Sequence, residues 1–299
     1  MKLVDSHSTA IPKGNLDGFK VHAKYDIISG FLVFLIALPL CLGISLASGY
    51  PAVAGIFTAI IGGVVATFIS NSELSIKGPA AGLIVIALGC VQEFGFTGGV
   101  DPAKDFQAYR LALGVGVVAG AYQIILGLFR VGILVNLFPK AAIHGLLASI
   151  GIIIISKQFP VLVGLSPQGS PLELLAGIPS FLTNMNPKVG VIGITGIIIV
   201  LGYGYIKNPK LKIIPAPMLM LLITVPMGTV MAIGLEGSYT FNNQIYELGQ
   251  KFLVNVPGNL LKAVTFPDFS GVVTETGIKY TVLFAIIGSL EGVISAKAI

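Results

Sequence analysis

Long apolar stretches recur down the whole chain, and no other property limits its fold as strongly. A helix needs about 20 consecutive apolar residues to cross a bilayer. The sequence offers eight segments, at approximately 25–48, 52–70, a short one at 79–92, 108–129, 132–157, 188–206, 213–234 and 275–298. Hydrophobic residues make up 55% of the 299 positions and charged residues 10%, with a mean hydropathy of +0.93. An ordinary soluble domain carries about 25% charged residues. The class this dictates is an all-α integral membrane protein, because lipid offers a spanning backbone no hydrogen-bond partner. Residues 1–24 are polar, carry Lys2, Lys13, Lys20 and Lys24, and lack an apolar run beside a small-residue cleavage site. They read as a cytoplasmic tail, not a removable signal, with the membrane domain over 25–299.

Charge then sets orientation and excludes several functions. The net charge of +5 comes without a dense Lys/Arg tract interleaved with aromatics, so nucleic acid is not expected as a partner. Positive residues gather in the tail, at Arg130, and at Lys207, Lys210 and Lys212. Glu93, Asp101 and Asp105, and then Glu236, Glu247 and Asp268, mark the alternate loops. That bias predicts a multi-pass protein with its N-terminus in the cytoplasm, and the expected location is the plasma (inner) membrane. Cys41 and Cys90 both lie inside apolar runs, which supports neither a disulfide framework nor a thiolate metal site. The sequence contains no Gly-rich Walker loop and no nucleophile, base and orienting group at readable spacing, so no enzyme is expected.

Segment three is too short to start at a membrane surface. From Pro79 to Gln92 is about 14 residues, roughly 21 Å of helix, against a hydrocarbon core of about 30 Å. Ahead of it, Glu73-Leu74-Ser75-Ile76-Lys77 alternates polar and apolar side chains, and five extended residues cover roughly 16 Å. The expectation is half strand, half helix, with the helix beginning near the midplane within about two residues of Pro79. Irregular backbone at that depth is tolerated only where protein or a watery cavity surrounds it. Pro79 suits the first helical turn and Gly78 a sharp bend into it. The N–H groups near Ala80, Ala81 and Gly82 then face the membrane centre with the helix dipole behind them, which suits an anion. A re-entrant kink with tight packing and no ligand fits the same residues.

Other polar positions also carry two readings. Pro39 is either a simple kink in segment one or part of a cavity wall. His144 is either packed or a proton relay. Lys77 either attracts anions or snorkels and pairs with Glu73. Gly114, Gly116, Gly120 and Gly127 suit close helix packing. Counting inward from Lys279 puts Glu291 about 18 Å along its helix, well inside the hydrocarbon, where an ionisable group is a functional candidate by default. Gly288, Gly292 and Ser295 share its face, while Leu283, Ile286, Leu290 and Ile294 lie largely elsewhere. An acid packed against the core, or reaching the interface, is the alternative.

The run IISGFLVFLIALPLCLGISLASGYPAVAGIFTAIIGGVVATFISNSELSIKGPAAGLIVI resembles the first three membrane segments of the SulP family of inorganic anion transporters. LVNLFPKAAIHGLLASIGIIIISKQF is similar to that family's fifth segment and GSLEGVISAKAI to its eighth. The resemblance covers residues 25–299 and implies the first half of a 7+7 inverted-repeat fold with a half-strand/half-helix third segment. It further implies a secondary transporter of a small inorganic oxyanion, sulfate or bicarbonate, coupled to Na+ or H+ and dimeric when complete. A channel-like or non-transporting anion-sensing protein on the same fold is the alternative. The anion is expected at Gly78, Pro79, Ala80, Ala81 and Gly82, with Phe34, Leu38 and Pro39 along its cavity. In sodium-coupled members an acid of segment eight and a hydroxyl four residues later help bind the cation. Glu291 and Ser295 match those places and are the candidate Na+ ligands; Glu where that pattern has Asp leaves proton coupling open. No other cofactor is implied. The chain stops at Ile299, without the remaining segments and any STAS domain, so it is expected either to be a fragment or truncated form or to have its missing half supplied elsewhere.

Overall fold

The computed structural model describes residues 16–69, 76–130, 140–167, 169–206, 214–254 and 263–297. Helix α1 (Leu16–Ala47) and helix α2 (Ala52–Ile69) form an antiparallel pair. Their turn is tied by Ser48 Oγ donating to Ile44 O and Ser45 Oγ donating to Pro51 O, both at 2.8 Å. A Cβ on Gly55 would lie 2.1 Å from Cys41 O, so the two helices meet backbone to backbone and only glycine fits. Helix α3 opens as a 3-10 turn, Ala81–Leu83, and continues as α-helix over Ile84–Glu93. Helix α4 (Pro102–Leu128) starts at Asp101, whose carboxylate accepts from the N–H groups of Ala103 and Lys104, with Pro102 at the first position.

Helix α5 (Lys140–Leu162) leads into two short helices, α6 (Pro171–Ala176) and α7 (Ile178–Thr183), and then α8 (Pro187–Tyr203) and α9 (Ala216–Val230). A hairpin of β1 (Gly237–Phe241) and β2 (Gln244–Leu248) follows, with Tyr239 opposite Tyr246. Asn242 and Asn243 both adopt positive φ, as a two-residue hairpin turn requires. Helix α10 (Glu275–Lys297) returns against α3 and α4. Cys90, Val91, Ala108, Ala112, Val115 and Tyr280 form a buried core among these three helices. Small residues let them approach closely. Gln123 of α4 donates to Phe284 O of α10 at 3.1 Å, satisfying a polar group that lipid would leave bare.

Large apolar side chains face outward all around the molecule, for example Phe68 at 72% and Leu201 at 68% exposure. Among the described residues four helical stretches are long and apolar enough to cross a membrane: Lys20–Ala47, Ala52–Ile69, Pro102–Leu128 and Glu275–Ser295. Ala81–Glu93, Ala148–Leu162, Pro187–Tyr203 and Ala216–Val230 are shorter apolar helices. Each expected segment therefore corresponds to an apolar helix, but several bounds differ. Helix α1 already runs at Leu16, the first described residue, inside the stretch read as a polar tail, because extending an established helix costs little and no proline intervenes before Pro39. Helices α8 and α9 have 17 and 15 residues, fewer than expected, each preceded by turn and proline residues that fix its start. The acidic stretch before α10 is not a plain loop but carries the hairpin. Lys207, Lys210 and Lys212 lie outside the described residues, as does the side chain of His144.

Candidate anion and cation site

Residues 76–80 belong to no helix, Ala80 is extended, and helix α3 begins at Ala81, two residues after Pro79. Glu73, Leu74 and Ser75 of the expected strand lie outside the described residues. Pro79 sits ahead of the helix and not in its first turn. The cap position must keep an extended backbone, and it falls on Ala80, with φ −82° and ψ 112°. Helix α2 makes room for this segment where it widens into a π turn, Gly62–Ala66. A Cβ on Gly62 would stand 2.5 Å from Lys77 O, so the extended chain crosses α2 at this glycine.

Alanine has no side-chain oxygen, so Ala80 caps nothing. The α3 N-terminus instead finds an acceptor 209 residues away in sequence: Glu291 Oε1 of α10 accepts the Gly82 N–H at 2.9 Å. A Cβ on Gly82 would meet Glu291 Cδ at 2.8 Å and Ile150 Cδ1 at 2.9 Å, so glycine is what admits the carboxylate. This corrects the expectation of three free donors, because Gly82 already donates. Among the described residues the N–H groups of Ala80 and Ala81 have no acceptor. Glu291 Oε2 is buried and likewise has no partner among them.

A cavity of about 1050 Å³ opens in front of this helix start. Phe34, Leu38 and Cys41 of α1, Ile60 and Gly63 of α2, and the stretch Lys77, Gly78, Pro79, Ala80 and Ala81 line it. Gly288, Glu291, Gly292 and Ser295 of α10 complete the wall. Gly82 is not on the wall, being covered by Glu291. Pro39 does not line it either, although Leu38 and Leu40 do. Its effect is confined to the helix backbone, where its ring leaves the Leu35 carbonyl without the usual i−4 bond. The cavity is thus mainly apolar, with few polar features: Lys77, the α3 N-terminus, the Glu291 carboxylate and the Ser295 hydroxyl. Such a wall can hold a small anion on backbone donors and a cation on an acid and a hydroxyl one helical turn apart. Gly62 and Gly82 were not singled out by sequence reasoning for their contacts. The Gly62-Gly63 pair inside an apolar helix was the available signal, without any indication of the neighbour it serves.

Separate polar contacts hold the hairpin and the loop before α10. Buried Asn186, just before α8, accepts from the Tyr239 hydroxyl at 2.8 Å and donates to Glu247 O at 3.0 Å, docking the hairpin. Asp268 accepts from Ser270 N–H at 3.0 Å and from Gln107 Nε2 at 2.9 Å. The Ser270 backbone and hydroxyl, then Gln107, with a smaller pull from Arg110, hold its carboxyl down at about 2.

Apolar helices around a short helix that starts inside a cavity define the membrane domain of a transporter-type fold. The structure is similar to one solved as "The transmembrane domain of a cyanobacterium bicarbonate transporter BicA", with a TM-score of 0.66 and 20% identity over 93% of this chain and 70% of that one. The sulfate permease family matches residues 24–299, and the chain belongs to that family, whose members are transporters and not enzymes. The bicarbonate transporter BicA of Picosynechococcus sp. is 29% identical over 217 residues, 71% of this chain and 36% of the relative. The putative sulfate transporter YvdB of Bacillus subtilis is 24% identical over 291 residues, 95% of this chain and 49% of the relative. Sulfate transporter 2.2 of Arabidopsis thaliana is 28% identical over 212 residues, 69% and 31% respectively. The chain thus spans about a third to a half of the length of the curated relatives it matches.

Proposed function

We propose that this chain forms the anion-binding part of a secondary active transporter for a small inorganic oxyanion, sulfate or bicarbonate, in the plasma membrane. The observation that carries the reading is the start of α3 inside the cavity, where Ala80 and Ala81 offer backbone N–H groups without acceptors of their own. A helix N-terminus favours negative charge, and the small side chains let the ligand reach the backbone. Gly78 and Pro79 shape the approach and Phe34 and Leu38 supply the apolar wall. The names of the relatives, sulfate and bicarbonate transporters, agree with a small oxyanion.

The coupling cation, Na+ or H+, belongs at Glu291, with Ser295 assisting if it is sodium. The orphaned Oε2 of Glu291 and the Ser295 hydroxyl one turn on fit such a cation, and the position beside the α3 N-terminus links the two charges. With a cytoplasmic N-terminus, as the lysine distribution favours, the cavity lies in the inner half of the membrane, where α1 enters. The complete protein forms a homodimer in this reading.

Flux of labelled sulfate and bicarbonate into proteoliposomes carrying the full-length protein tests it. The expected result is saturable uptake of one of the two that rises with an imposed sodium or proton gradient. Flux that neither saturates nor responds to either gradient indicates the channel-like alternative and contradicts the proposal.

A further inference from the structure

The carboxylate of Glu291 is itself an anion, and it occupies a donor at the very helix start at which the transported anion is placed. Its Oε1 accepts the Gly82 N–H at 2.9 Å, and Gly82 lacks the side chain that would hold it away. Nothing local competes for that donor, because the cap residue Ala80 has no side-chain acceptor. The second oxygen, Oε2, is buried without a partner among the described residues, a costly arrangement for a charged oxygen in a membrane unless a cation joins it.

Resting on the transport reading above, we infer that Glu291 is a tethered competitor of the transported anion. Without a cation the carboxylate takes the α3 N-terminus. A cation on Oε2 neutralises it, and the anion then binds in its place. The cation must arrive first, so the anion cannot cross alone, and coupling follows from occupancy of one helix start without any long-range transmission. This differs from a merely attractive role for Glu291, in which the carboxylate holds a cation that in turn favours the anion.

Among the described residues, Lys77, on the segment leading into α3, and Cys41 of α1 are the other titratable groups on the cavity wall, and α2 contributes only apolar and glycine residues to it. Ile150 of α5 lies beside Gly82, and the neutral Gln123 of α4 lies beside Gly288. The His144 side chain on α5 lies outside the described residues.

Sulfate binding by the full-length protein in nanodiscs, followed by calorimetry at one pH with and without sodium, tests the inference. Wild-type affinity should rise about tenfold on cation binding, the scale of a charge interaction at a partly buried helix terminus. Glu291→Gln keeps the size and an acceptor for Gly82, and Glu291→Ala removes both. Each should bind sulfate at least as tightly as the cation-loaded wild type, with little dependence on sodium. Variants that bind sulfate more weakly than wild type without cation overturn the competition and leave the transport reading standing. Absence of sulfate and bicarbonate binding in all three proteins overturns the transport reading, and the competition with it.

Discussion

Helix starts in this molecule are capped in two opposite ways. Helices α4 and α8, whose starts lie outside the cavity wall, carry their own caps: Asp101 and Asn186 stand immediately before the first helical residue, each followed by proline. Helix α3, inside the cavity, has alanine at that place and borrows Glu291 from a helix 209 residues further on. A cap built into the local sequence forms with its helix and stays. A cap borrowed from another helix can be withdrawn by moving or neutralising one side chain. The outer caps therefore belong to architecture, whereas the inner one suits a site that must exchange one anion for another.

Substitutions at the two kinds of start should separate accordingly. Ala81→Leu, which crowds the backbone donors in the cavity, should weaken anion binding in the full-length protein by more than tenfold while its thermal melting point stays near that of wild type. Unchanged affinity would remove Ala81 from the site. Asn186→Ala should do the reverse. It deletes a buried amide that binds both the hairpin and the start of α8, and should cost about 2 kcal/mol of stability with anion affinity unaltered. Asp101→Ala loses a more exposed cap worth about 1 kcal/mol, measurable by thermal unfolding in detergent and again silent in binding.

The smallest effect is electrostatic and lies in the loop before α10. Asp268 is held at about 2 by Ser270 and Gln107, below the unfolded value of about 3.9. Its contribution is therefore fully present above the unfolded value and is lost as pH falls through about 2. Asp268→Asn should flatten the acid limb of stability below pH 4 and leave the neutral range nearly unchanged. An acid limb identical to wild type would show that the loop opens before this carboxylate titrates.

Much of this contrast was legible in the chain itself, though unevenly. A helix of about 14 residues after Gly78-Pro79 could not reach both membrane faces, and α3 does start at Ala81, within two residues of Pro79. Helical periodicity put Gly288, Glu291, Gly292 and Ser295 on one face, and all four line the cavity. Period and length are local properties, so a sequence displays them. The bond between Glu291 and Gly82 depends on how two distant helices pack, and no local pattern encodes it. The same holds for the π turn at Gly62, whose reason is the Lys77 carbonyl passing alongside. The hairpin was overlooked because its alternation, Tyr239 to Tyr246, is brief and sits in a stretch read only for its charge. The run of α1 through Leu16 was missed because polarity marks where a membrane segment ends, not where a helix does.

In the proposed mechanism a carboxylate inside the membrane, lent to the start of α3, joins anion movement to a cation gradient. Uptake of labelled anion by proteoliposomes carrying full-length Glu291→Gln protein tests it most directly, measured with and without imposed sodium and proton gradients. Anion exchange should persist while the response to both gradients disappears. Gradient-driven accumulation equal to that of the wild type would contradict it.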